Sequence, residues 1–167
     1  MLRIETHGLT DGLHALTLRP DAEALDLDPA VFSEIEVALR LDVADRRILA
    51  AFEARATACL ECDRTLVAYR QPVEGSHAVL YAPPEVLPPG SEEDDSVAPL
   101  PADATTLDLT GPVRETLLLA LPLRRVAPEA EALEIPTVFG AALDEGGEQV
   151  DDRWDALRRL RADDDTN

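Results

Sequence analysis

Apolar and polar residues alternate most regularly between Ile35 and Val43. Ile35, Val37, Leu39, Leu41 and Val43 interleave there with Glu36, Ala38, Arg40 and Asp42. A period of two puts the first set on a buried face and the second toward water, which predicts a strand. Ala44-Asp45-Arg46-Arg47 supplies a short polar turn. Ile48 to Ala58 then alternates again, with Glu53, Arg55 and Thr57 on the polar side. Two such runs around a short turn predict an antiparallel hairpin. Upstream, residues 2–19 predict another hairpin, turning at Thr10-Asp11-Gly12, with His7 and His14 on its surface. Asp28-Pro29 predicts one helical turn through Val31 and Phe32, since Asp caps and Pro is tolerated in a first turn. Downstream, Thr65 to Arg70 and Ser76 to Ala82 predict two strands interrupted at Gln71-Pro72.

The pattern breaks over residues 83–106. Pro83, Pro84, Pro88, Pro89, Pro99 and Pro101 fall there, with Glu92-Glu93-Asp94-Asp95 among them. Such a stretch buries too little apolar surface to offset its ordering cost, so a long, mobile acidic loop is expected. Helical spacing comes next. Thr110 suits a cap, Pro112 a first turn, and Glu115 the positive end of the helix dipole. Val113, Leu117, Leu118, Ala120 and Leu121 give a wide apolar face, read as core with a solvent side open to a partner, and Pro122 ends the helix. A second helix is expected from Asp151-Asp152, with Trp154, Leu157 and Leu160 as its docking stripe. The expected fold class is α+β. An antiparallel sheet, open to barrel-like closure, packs with two or three helices in a single domain over 1–162, and 163–167 form a disordered tail.

Composition narrows the function classes. The 167 residues suit one domain with an aliphatic core. No apolar run spans a bilayer and no signal-like segment opens the chain, so a cytoplasmic protein is expected. Two cysteines cannot build a disulfide scaffold. The net charge is −19, from 34 acidic residues against 15 basic ones, all of them Arg. A chain this acidic repels a nucleic-acid backbone at long range and suits a basic protein partner. An acidic surface adapted to a salt-rich cytoplasm explains the same charge.

Three blocks carry a resemblance. The first is Ala56-Thr57-Ala58-Cys59-Leu60-Glu61-Cys62-Asp63-Arg64. The second joins Leu107-Asp108-Leu109-Thr110 and Val113-Arg114-Glu115 to Leu117-Leu118-Leu119-Ala120-Leu121-Pro122. The third is Val150-Asp151-Asp152-Arg153-Trp154-Asp155-Ala156-Leu157. In this order, with an acidic loop between the first two, they resemble the YceD-type large ribosomal RNA subunit accumulation proteins over roughly residues 30–162. The resemblance implies a ribosome-assembly role. It also implies a second cysteine cluster after the L-A-L-P helix, which in many members completes a four-thiolate zinc site. Here that segment reads Leu123-Arg124-Arg125-Val126-Ala127-Pro128-Glu129-Ala130, without Cys.

Cys59 and Cys62 therefore supply two of the four ligands a structural zinc needs. They read best as a vacant half-site at a tight turn between strands, held by packing and hydrogen bonds. Completion by His or by a second subunit would restore zinc. A thioredoxin-like redox role is disfavoured, because Glu61 and Asp63 would raise a thiol pKa. Arg64, Arg70, Arg124 and Arg125 could reach phosphates, although surface Arg more often pairs with carboxylates. Arg64, Arg114, Glu115, Arg124 and Arg125 are the candidate partner contacts. No nucleophile–base pair stands at readable spacing. The expectation is a non-enzymatic assembly factor without a cofactor, acting on large-subunit (23S-type) ribosomal RNA through a basic ribosomal protein or pre-ribosomal particle. The alternatives are a small thiol- or zinc-dependent enzyme and a generic acidic interaction module.

Overall fold

The computed structural model describes residues 1–87, 96–101 and 103–133. The chain divides into two units, Met1–Glu131 and Ala132–Asn167, and the first holds every described strand and helix. Its strands are β1 (Arg3–Glu5), β2 (Gly12–Leu18), β3 (Phe32–Ala44), β4 (Arg47–Glu61), β5 (Ala68–Ala82), β6 (Val97–Pro99) and β7 (Thr106–Asp108). The helix α1 runs Thr110–Leu119, and single 3-10 turns cover Ala22–Leu25, Pro84–Val86 and Pro128–Ala130. The mixed α+β class is as expected. A five-stranded sheet has the order β2-β3-β4-β5-β6, and β1 pairs with β7 in a separate ribbon. The large sheet ends at β2 and β6, so no barrel closes among the described residues. Its pairs are antiparallel except β5–β6, which is parallel.

The central hairpin forms where the alternation is cleanest. Along β3, Ile35, Val37, Leu39, Leu41 and Val43 are buried while Arg40 and Asp42 are exposed. Ala44 pairs with Arg47, which leaves Asp45 and Arg46 as the turn, with φ of 48° and 63°. Positive φ at both positions lets a two-residue turn follow the twist of the long strands.

Three strand expectations change. Residues 2–19 do not form a hairpin: β1 pairs with β7 and β2 pairs with β3. The buried Leu2 N–H donates to Thr110 Oγ1 at 2.7 Å, and Leu109 N–H donates to Leu2 O. The N-terminus is thus tied to the start of α1, a contact over 108 positions that no local pattern encodes. Second, β5 runs unbroken through Pro72, which pairs with Thr57. Proline is tolerated there because the other edge of β5 pairs with β6 only at Leu80–Ala82. Third, the described part of 83–106 carries a 3-10 turn and β6, while the acidic run at 92–95 lies outside the described residues. The Asp28-Pro29 turn is a tight one. Asp28 O accepts from Val31 and Phe32 N–H, and Phe32 already opens β3. The expected second helix near 151 and the expected tail at 163–167 also lie outside the described residues.

Helix α1 starts and ends near the expected positions, but Thr110 is not its cap. Asp108 Oδ1 accepts from Thr110 N–H at 2.9 Å. Desolvation pushes the Asp108 carboxyl up, and hydrogen bonds from Thr110 and Arg3 outweigh it and hold it below its usual value. The helix lays Val113 and Leu117, both fully buried, on β5 and β4. Gly75 permits that approach: a Cβ built on it would stand 2.7 Å from Thr116 Cγ2.

Candidate functional site

The Cys59-Leu60-Glu61-Cys62 segment is the last stretch of β4 rather than a turn. The strand continues to Glu61, and the turn comes after it at residues 63–65. In extended backbone, residues three apart point to opposite faces. The burial alternates accordingly: Cys59 is exposed, Leu60 buried, Glu61 exposed and Cys62 fully buried. The two thiols therefore point to opposite faces, and the tight turn expected at the pair comes after it.

Cys62 sits in a small apolar pocket with Ala127 and Ala130, flanked by Tyr69 and Val126. Its Sγ accepts from Ala127 N–H at 3.4 Å. A hydrogen bond from the Thr65 side chain, helped by Ala127 N–H and other backbone donors, pulls the thiol down from 9.0 to about 7 against the opposing desolvation. The expected rise from Glu61 and Asp63 is overturned for Cys62, because donors aimed at the sulfur outweigh nearby charges in water.

The segment after α1 docks on this loop through four further hydrogen bonds. Asp63 N–H donates to Arg125 O at 2.7 Å, and Arg125 N–H donates to Asp63 Oδ2 at 2.8 Å. The Arg64 guanidinium donates to Ala130 O at 2.8 Å and Glu131 O at 3.1 Å. These contacts join the place of the first cysteine pair to the place where the resemblance implies a second one. The donor set does not fit a four-thiolate zinc site: one thiol faces away, and 123–130 offers backbone groups in place of sulfur. Among the described residues, no three of His, Cys, Asp and Glu come together as metal ligands.

The candidate partner contacts separate into two kinds. Arg64 is engaged as described, and Arg114 Nε donates to Asp26 O at 3.2 Å. Glu115, Arg124 and Arg125 present exposed side chains. Arg64, Arg124, Val126 and Glu131 line an open depression of about 320 Å³. Arg70 pairs with Glu34 at 3.1 Å, the outcome expected of most surface Arg.

A larger depression of about 760 Å³ lies where β2 runs into the Ala22–Leu25 turn, and sequence reading missed it. Asp21, Glu23, Glu34 and Glu36 line it, together with Arg19, which pairs with Glu36 at 2.8 Å. Glu34 has φ of 55° where the β3–β4 register shifts between Ser33 and Glu36. Alternation alone cannot announce such a bulge.

No helix among the described residues is long and apolar enough to cross a membrane. No curated protein and no solved structure matches the chain. A family model described as "Large ribosomal RNA subunit accumulation protein YceD" matches residues 50–161. The match begins inside β4, includes the Cys62 loop, α1 and the docked 123–131 segment, and covers two thirds of the chain; the chain belongs to the YceD family of large ribosomal RNA subunit accumulation proteins.

Proposed function

We propose that this protein is a non-enzymatic assembly factor of the large ribosomal subunit. It supports accumulation or processing of 23S-type ribosomal RNA in the cytoplasm. The family match over residues 50–161 carries this reading. Charge favours a basic ribosomal protein, free or on a pre-ribosomal particle, as the direct partner. A net charge of −19 opposes approach to bare RNA, and Arg64, Arg70 and Arg114 are engaged within the protein. Arg124, Arg125 and Glu115 are the exposed contacts of the matched region.

The test is sedimentation of tagged protein in a cell extract, with large-subunit precursor RNA measured in a deletion strain. Co-migration with large-subunit precursors and a deficit of mature 23S-type RNA are expected. Protein wholly in the free fraction, with normal precursor levels, refutes the proposal.

A further inference from the structure

We propose that the free edge of β2 receives an extended, basic peptide segment by strand addition. β2 is a terminal strand of the five-stranded sheet. It offers seven residues, Gly12-Leu13-His14-Ala15-Leu16-Thr17-Leu18, about 24 Å of open backbone. Natural edge strands are blunted by charge, proline, bulges or a covering element. β2 has no acidic or basic charge apart from His14 and no proline, and it pairs with β3 without a bulge over Gly12–Leu18. Among the described residues no element covers it: Leu13 is 69% exposed and Leu16 38%, and Ala15 and Thr17 are exposed as well. In a chain with 29% charged residues, an uncharged edge of this length stands apart.

Charge selects the occupant. Beyond its C-terminal end lies the acidic depression holding Asp21, Glu23, Glu34 and Glu36, where two of the four are matched, Glu36 by Arg19 and Glu34 by Arg70. Toward its N-terminal end, Asp11, Asp42 and Asp45 stand with Arg40, Arg46 and Arg47, so charge there is balanced and the acidic end of β2 is its C-terminal one. A second copy of this chain would bring −19 against −19. A basic segment, alternating apolar and cationic residues, matches both the uncharged strand and the acidic depression at its C-terminal end. Main-chain hydrogen bonds would supply affinity, and side chains beside Leu13 and Leu16 the register. This inference rests on the proposed basic protein partner and names the surface that holds it.

The probe is a synthetic peptide alternating Val and Arg, long enough to span β2. The control has the same composition with Val and Arg in separate blocks. Binding to the full chain is read by fluorescence anisotropy at physiological salt, and the site by amide hydrogen exchange. The alternating peptide should bind at least about tenfold tighter than the block peptide. It should slow exchange within Gly12–Leu18. Thr17→Lys should weaken it about tenfold, whereas Thr17→Glu should leave it unchanged or tighter. Both variants lie on an exposed position opposite Ala38, so folding is retained. Equal binding of both peptides, indifference to Thr17→Lys, or protection away from β2 overturns the proposal. So does a concentration-dependent dimer of the free protein that both Thr17 variants abolish, which assigns the edge to a second copy. Co-sedimentation with ribosomal precursors that survives Thr17→Lys removes this inference and leaves the assembly role standing.

Discussion

Gly75→Ala tests how α1 is seated on the sheet. The added Cβ would stand 2.7 Å from Thr116 Cγ2 and 3.3 Å from Thr116 O, whereas ordinary contact begins near 3.4 Å. Relief requires a movement of 0.7 Å (3.4 − 2.7). The Thr116 methyl cannot rotate away freely, because Thr116 Oγ1 donates to Pro112 O at 2.8 Å and that bond holds its χ1. The helix or β5 must shift instead. Overpacking of this kind costs about 1–3 kcal/mol, and the reduced freedom of the unfolded chain returns about 0.4–1. Gly75→Ala should therefore destabilise by about 1–2 kcal/mol, measured from the urea midpoint at constant m. For a unit of this size that is roughly 3–8 °C in Tm. Thr116→Ser keeps the hydroxyl and removes the methyl that clashes. Alone it should cost less than about 1 kcal/mol, and combined with Gly75→Ala it should recover about 1 kcal/mol of coupling. A Gly75→Ala protein as stable as the parent, or a double variant showing simple additivity, refutes the seating argument.

Arg46→Gly should raise stability by about 0.5–1 kcal/mol in thermal unfolding, since left-handed backbone costs a side chain more than glycine loses in entropy. Arg64→Ala should cost about 1–2 kcal/mol locally, seen as faster amide exchange at Ala130 and Glu131 with the β3–β4 hairpin unchanged. The urea midpoint should rise with pH between about 7 and 9, because Cys62 has its folded pKa depressed from 9.0 to about 7. Stability from that thiolate is complete above the unfolded value and is lost as pH falls through the folded one. A flat profile, or the same slope in Cys62→Ala, refutes this. Cys59→Ser should stay within about 0.5 kcal/mol of the parent, and Cys62→Ala should be clearly the less stable of the two in the same urea series.

Legibility in the sequence tracks the range of the forces involved. The β3–β4 hairpin was legible because alternation and turn sit within a few residues of each other. Helix α1 was legible from Pro112, its apolar face and Pro122. The first hairpin was misread because β1 finds its partner at Thr106–Asp108, where pairing depends on the folded sheet and helix. Pro72 was misread as a break because a proline is judged by its edge, and edges are properties of the whole sheet. The cysteine pair was recognised correctly as a family mark and incorrectly as a turn, since β4 outlasts its own alternating signal by reaching Glu61. The open edge of β2 could be read only once the strand order was known.

The Cys62 loop is joined by hydrogen bonds to the segment where the resemblance implies a second cysteine pair. A zinc ion held by two cysteine pairs would staple the end of β4 to the segment after α1. In this chain the same two segments are joined by Asp63 to Arg125 in both directions, by Arg64 to the Ala130 and Glu131 carbonyls, and by Ala127 to Cys62 Sγ. Each of these bonds contributes about 0.5–3 kcal/mol, the charged ones most. Together they hold the two segments without a thiolate on the second. The Cys62 sulfur is both an apolar filler against Ala127 and Ala130 and an acceptor for Ala127 N–H. Cys59, on the other face of β4, takes no part in the joint. The bound segment begins at Arg124 and Arg125, so the staple also sets where those exposed cations stand. In the proposed assembly role, the surface around Arg124 and Arg125 is held in place through backbone pairing. That surface can consequently be tested residue by residue without unfolding the sheet beneath it.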